Sequence, residues 1–145
     1  MLFSKTCEYG IRAAVYIASQ SDKTEKTGIE EICENIEAPR HFTAKILQIL
    51  TRNHLLSSQK GVNGGFYMTA EQLQQPMIVL VEAIEGKEVL SKCGLGLKAC
   101  SEVEPCPLHN KYASIRNNIK QMLSGVTIKD MAVSLQTGKA FLKID

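Results

Sequence analysis

Three observations predict a mainly α fold with one small β-hairpin. Two short segments of helical periodicity meet at a turn marked by Pro39. A glycine-rich hairpin, residues 59–65, follows the second of them directly. A long amphipathic stretch, from Leu108 to Leu123, closes at Gly125. A short helix, a tight turn and a second helix with a polar N-terminal face make a helix-turn-helix, and a hairpin placed just after it is a wing. The predicted class is therefore a winged helix-turn-helix with a long dimerisation helix.

Each element has a local reason. Ser4 caps a first helix from about Lys5 to Ser19, with Cys7, Ile11, Ala14, Val15 and Ala18 at helical spacing. Residues 21–26 form a polar connector. Thr27 and Glu30 read as a Thr-x-x-Glu capping box opening a short helix that carries Ile29, Ile32 and Cys33. Residues 37–39 turn, and Pro39 takes the first position of the third helix, where its missing N–H costs nothing. That helix points Phe42, Ile46, Leu47, Ile49 and Leu50 inward and leaves Arg40, His41, Thr43, Ala44 and Lys45 on its outer, N-terminal side. Residues 55–58 and 66–69 read as strands, and Asn63 with the glycines between them tolerates positive φ. Residues 70–74 turn, Pro76 starts a helix ending near Glu85, and Gly86 stops it. Residues 87–107 lack periodicity. The stripe Leu108, Tyr112, Ile115, Ile119 and Met122 suits either a dimer interface or packing on the chain's own head. Thr127 and Asp130 cap a last short helix with Met131, Val133 and Leu135, and the tail beyond Gly138 reads as loose. The expected organisation is a head over residues 1–86, a cysteine loop over 87–107, and the dimerisation helix with the last short helix over 108–145.

Composition bounds the function. Hydrophobic residues are 44% and charged residues 22% of the 145, as in an ordinary globular domain. The N-terminal residues lack a signal-peptide pattern, and no run approaches the roughly 18 apolar residues of a membrane span, so a cytoplasmic protein without membrane contact is expected. No Ser-His-acid set, phosphate loop or paired-carboxylate site suggests an enzyme. The net charge of +2 is unremarkable, but its distribution is not. Between Glu37 and Glu71 there is no Asp or Glu, while Arg40, Lys45, Arg52, Lys60, His41 and His54 all fall there. An acid-free basic surface suits phosphates, whose neutralisation releases counterions. The expected partner is a double-stranded DNA operator, met by the third helix and by Gln59, Lys60, Gly61 and Asn63 of the wing. Lys60 has the reach for phosphate or a narrow minor groove.

Cys93, Cys100 and Cys106 have six and five residues between them, and His109 follows three residues on. Thiolates with an imidazole suit an iron–sulfur cluster or zinc. Cys7 and Cys33 lie on apolar helical faces and read as core.

With these motifs together, the sequence resembles the IscR–NsrR (Rrf-two) family of iron–sulfur transcription regulators from Leu2 to about Leu135. The resemblance rests on residues 5–14, the helix from Pro39 to Leu50, residues 56–66, the loop from Cys93 to His109, and the long helix after it. It implies a homodimer with a crossing helix, and a [2Fe-2S] or [4Fe-4S] cluster that controls DNA binding in response to cluster supply, nitric oxide or redox state. Cys93, Cys100 and Cys106 match the family's cluster ligands. His109 matches the histidine used by cluster-supply sensors, and Glu8 the first-helix position from which nitric-oxide and redox sensors supply a carboxylate, there from the partner subunit. The first cysteine spacing is one residue longer than is usual in the family, which leaves nuclearity open. Ala44 stands where the cluster-supply sensor has a glutamate, implying a different operator. Thiol–disulfide change, regulation by a partner, and a structural Cys3His zinc site are the alternatives.

Overall fold

The computed structural model describes residues 2–23 and 25–144. Seven helices and one hairpin run in the order α1 (Lys5–Ser19), α2 (Ile29–Ile36), α3 (Arg40–Arg52), β1 (Ser57–Gln59), β2 (Gly65–Tyr67), α4 (Ala70–Leu73), α5 (Met77–Glu85), α6 (His109–Ser124) and α7 (Ile128–Gln136). The fold is the predicted winged helix-turn-helix with a long following helix.

The core forms around α1, whose alanine-rich inner face lets its neighbours approach closely. Ala13, Ala14, Ile17 and Ala18 are buried, and α2, α3, α5 and α7 pack on them. Ile32, Ile36, Ile46, Leu47, Leu50 and Leu80 complete the centre at 1% exposure or less. Burial of each such side chain stabilises the fold by about 1.5–3 kcal/mol. The Ser4 hydroxyl accepts from the Cys7 amide at 3.1 Å, as an N-cap should.

Several local expectations change. Thr27 does not cap α2; Gly28 occupies that position and Thr27 is buried. The Thr27 backbone instead pairs with Phe66, through Thr27 N–H to Phe66 carbonyl at 2.9 Å and Phe66 N–H to Thr27 carbonyl at 2.8 Å. That extended pairing demands β conformation at Thr27 and roots the wing in the head. Gly65 at φ 139° makes the approach possible, since a Cβ there would lie 2.7 Å from the Thr27 carbonyl oxygen. Pro39 is the N-cap of α3, one residue before its predicted place. The strands start and end nearer the tip than predicted, paired Ser57 with Tyr67, Ser58 with Phe66 and Gln59 with Gly65. Leu55 and Leu56 are buried beneath the hairpin. The turn over 70–74 contains the single helical turn α4, capped reciprocally by Thr69 and Gln72.

On α3 the inward set is Thr43, Ile46, Leu47 and Leu50. Phe42 is 45% exposed and Ile49 only half-buried, whereas Thr43 is fully buried with its hydroxyl donating to the Pro39 carbonyl at 2.9 Å. The satisfied hydroxyl lets threonine serve as core, and its one-residue offset rotates Phe42 outward. Cys7 is core as expected, and Cys33 is half-buried.

The α6 stripe divides. Leu123 is buried and Ile119 packs against the head's core, while Leu108, Ile115 and Met122 stay exposed. α7 keeps its predicted Thr127–Asp130 capping box and packs along α1, with Ile128 and Ala132 inward and Val133 exposed. Pairing of Met77 N–H with the Val126 carbonyl, and of Ile128 N–H with that of Gln75, ties it to the start of α5. The tail is anchored rather than loose: Leu142 packs on the core and Lys143 lies 4.0 Å from Glu37. Among the described residues no helix is long and apolar enough to cross a membrane.

Candidate nucleic-acid interface and cysteine loop

The buried face of α3 dictates what faces out. At about 100° per residue, His41, Lys45 and Gln48 lie opposite Thr43, Leu47 and Leu50. All three are exposed. Ala44 is half-buried on one flank, and Arg40 is exposed with its Nε 3.0 Å from Glu30 Oε1. The Glu30 carboxyl is held below its usual range by its own backbone N–H and then by Arg40. The His41 and Phe42 rings lie 4.5 Å apart at a tilt of 38°. Thr43, expected on this face, is excluded from it by its burial.

In the wing, Gln59, Lys60, Gly61 and Asn63 are all exposed, as is Val62 at the tip. Gln72 fixes the wing's base to the end of α3. Its Oε1 accepts from the Ser57 hydroxyl at 3.1 Å, and its Nε2 donates to the His54 carbonyl at 3.1 Å. Lys26 Nζ sits 4.2 Å from the centre of the Tyr67 ring, on the return strand. Helix face and wing are thus positioned by the same frame; residues 38–70 carry no acidic side chain, and the carboxylates that reach this side come from outside them, Glu30 at Arg40 and Glu25 beside Val62 and Asn63 of the wing tip.

The cysteine loop joins α5 to α6. Gly94 rests against Tyr112 of α6, where a Cβ would lie 2.9 Å from the ring. Arg116 Nη1 donates to the Lys92 carbonyl at 3.3 Å, holding the loop's first half on the same helix. Cys93 is 7% exposed, and its Sγ accepts from Leu95 N–H at 3.4 Å. The backbone N–H groups of Leu95 and Leu97, followed by the Cys106 thiol, hold the Cys93 thiol below its usual range. Cys100 Sγ lies 3.3 Å from His109 Nδ1 at the start of α6. Of the four predicted ligands, Cys100 and His109 therefore stand in contact. Among the described residues no three His, Cys, Asp or Glu side chains converge in metal-binding geometry. Glu8 is not with them; it is half-buried on α1 and pairs with Lys5 at 3.1 Å. The donor chemistry fits a thiolate-ligated iron or zinc centre: three thiols and an imidazole, with backbone N–H groups already turned to one sulfur.

Cys7 differs in kind. It is fully buried, and burial, then the Glu85 carboxylate, pushes its thiol up to about 12. In native protein at pH 8 it is expected to resist iodoacetamide while loop cysteines react. Mass spectrometry after a short exposure checks this, and carbamidomethylated Cys7 would contradict it.

Sequence reasoning missed Phe42, Gln48, Gln72 and Glu30. Only Gln72 carried a signal, as the fourth residue of Thr69-Ala-Glu-Gln, a capping-box pattern in a stretch read as a turn.

Comparison with known proteins agrees with this arrangement. The family model for Rrf2, described as iron-dependent transcriptional regulator, matches residues 3–134. A protein of Aquifex aeolicus assigned as an HTH-type transcriptional regulator is 32% identical over 133 residues, covering 90% of this chain and 91% of that one. Protein aau3 of Rhizobium meliloti is 28% identical over 132 residues, covering 90% and 84%. CymR (YrzC), the global cysteine regulator of B. subtilis, shares the fold with a TM-score of 0.75 at 20% identity, over 90% of this chain and 95% of that one. T. potens IscR does so with a TM-score of 0.72 at 14% identity, over 94% and 90%. The matched family, the Aquifex protein and CymR are regulators, not enzymes. With a family match over nearly its whole length and a winged helix whose outer face is basic, the chain belongs to the Rrf2 family of DNA-binding transcription regulators.

Proposed function

We propose that the chain acts in the cytoplasm as a homodimer on a double-stranded operator of two half-sites, and that an iron–sulfur cluster gates this binding. The observation that carries the DNA reading is that α3 and the wing, built from residues 38–70 without a single Asp or Glu, present Lys45 and Lys60 on one exposed side. His41, Ala44 and Lys45 face the major groove, and Arg40 stands at its edge. Gln59, Lys60, Gly61 and Asn63 of the wing meet the backbone or the adjacent minor groove. Two half-sites call for two heads. A groove of about 340 Å³ between α5, the loop and α6, lined by Phe3, Val81, Leu90, Tyr112 and Ile119, suits the exposed edge of a second copy's α6.

For the cluster, Cys93, Cys100 and Cys106 supply the thiolates and His109 the fourth ligand, with Glu8 as the alternative. The 3.3 Å contact between Cys100 and His109 favours the histidine. When bound, the cluster supplies a centre sensitive to iron supply, nitric oxide or oxidant. The chain's residues would do the rest: loop and α6 meet at Gly94 and Tyr112, so a centre held by the three cysteines and His109 would fix the loop against the helix expected to hold the heads apart. In this reading residues 1–86 form the DNA-binding head, 87–107 the sensing loop, and 108–145 the dimerising segment whose last helix packs back on the head. Three thiols in one loop, Cys93, Cys100 and Cys106, support thiol–disulfide switching as the second reading.

Salt titration tests the DNA face. Lys45→Ala and Lys60→Ala are each expected to weaken operator binding. Each should flatten the log–log salt dependence by about one unit per lost phosphate contact per subunit. Variants that bind like the parent at every salt concentration would overturn the assignment.

A further inference from the structure

We propose that Phe42 reads a thymine methyl group in the major groove, so that each operator half-site requires a T·A pair opposite the first turn of α3. This rests on the DNA-binding reading above and adds the base that is read.

Phe42 is 45% exposed near the N-terminal end of the helix, on the flank it shares with Lys45 and Ile49. The phenyl ring neither donates nor accepts a hydrogen bond, so only an apolar partner rewards its exposure. Among the base-edge groups that the major groove presents, the thymine C5-methyl is the apolar one, and it is a known match for phenylalanine. Two neighbours sharpen the assignment. The His41 ring, 4.5 Å away, backs the phenyl and limits its orientations. Arg40, the side chain best suited to guanine, is engaged by ionised Glu30 at 3.0 Å, so guanine readout at this turn must break an existing pair. The first turn of α3 thus offers an apolar contact before a charged one. Lys45, one turn on, supplies phosphate attraction on the same flank.

The experiment starts from a random duplex pool, enriched on the full-length protein. Each thymine of the enriched duplex is then replaced singly by deoxyuridine, which lacks only the methyl group. One thymine per half-site is expected to lose about fourfold in affinity on replacement, the worth of one buried methyl. Phe42→Ala should bind thymine and deoxyuridine duplexes equally at that position while keeping the parent's salt dependence. The ring is exposed, so the variant should fold, and circular dichroism checks that it does. If no thymine matters, or if Phe42→Ala retains the same methyl preference, the assignment is overturned while DNA binding stands. A pool that enriches no sequence overturns both. Equal weakening on every duplex would assign Phe42 to the sugar–phosphate backbone and likewise overturn methyl readout.

Discussion

Ile115→Asp is expected to turn the proposed dimer into a folded monomer. Ile115 is 59% exposed on α6, so a carboxylate there remains hydrated in the isolated chain and leaves the fold intact. Between two copies it would be buried against an apolar surface without a partner. Two-fold symmetry places the change in the interface twice. At several kcal/mol for each uncompensated charge, the dissociation constant should rise by roughly 10³-fold or more. Light scattering reports the mass and circular dichroism the helix content. Ile119→Asp provides the contrast, because Ile119 packs against the chain's own core and its replacement should lower thermal stability as well. An unchanged dimer for Ile115→Asp would remove α6 from the interface.

Cys93→Ala is expected to abolish the visible charge-transfer absorption of anaerobically reconstituted protein, as are Cys100→Ala and Cys106→Ala. These sulfurs are the donors that favour iron–sulfur ligation, and one imidazole does not replace them. His109→Ala should shift the spectrum, and Glu8→Ala should leave it unaltered, since His109 already touches the Cys100 sulfur. The reverse result would assign the fourth ligand to the first helix. Colourless protein carrying stoichiometric zinc would refute the cluster. Operator affinity measured with and without the bound centre then gives the coupling between the two sites.

Much of this was legible in the sequence, for identifiable reasons. Helix α1 matched from end to end because Ser4 and the apolar spacing specify it locally. The caps at Thr127 and Gly86 are equally local. Thr27 was misread because a tertiary pairing with Phe66, 39 residues away in sequence, outweighs its capping potential. Phe42 and Thr43 exchanged roles because hydrophobicity ranks phenylalanine above threonine. Burial follows helix phase, and a back-bonded hydroxyl removes threonine's penalty. The stripe on α6 showed an apolar surface but not that only one of its edges packs on the chain's own head. The chemistry-bearing residues of the loop were visible by type and spacing, whereas the contact of Cys100 with His109 depends on how the loop returns to the start of α6.

The placement of α7 along α1 governs how the molecule comes into being on the ribosome. The first helix emerges before the segments that cover it, and part of that cover, including Ile128 and Ala132, lies beyond α6 in the chain. Gln136 Nε2 closes the arrangement by donating to the Ser19 carbonyl at 2.8 Å, across 117 residues. Such a distant contact carries a loop-closure cost and forms late. The DNA-binding unit therefore completes its core only after the cysteine loop and α6 have left the exit tunnel. A nascent chain stalled before residue 128 would carry a winged helix with an open flank, a target for chaperones and proteases rather than a half-finished regulator.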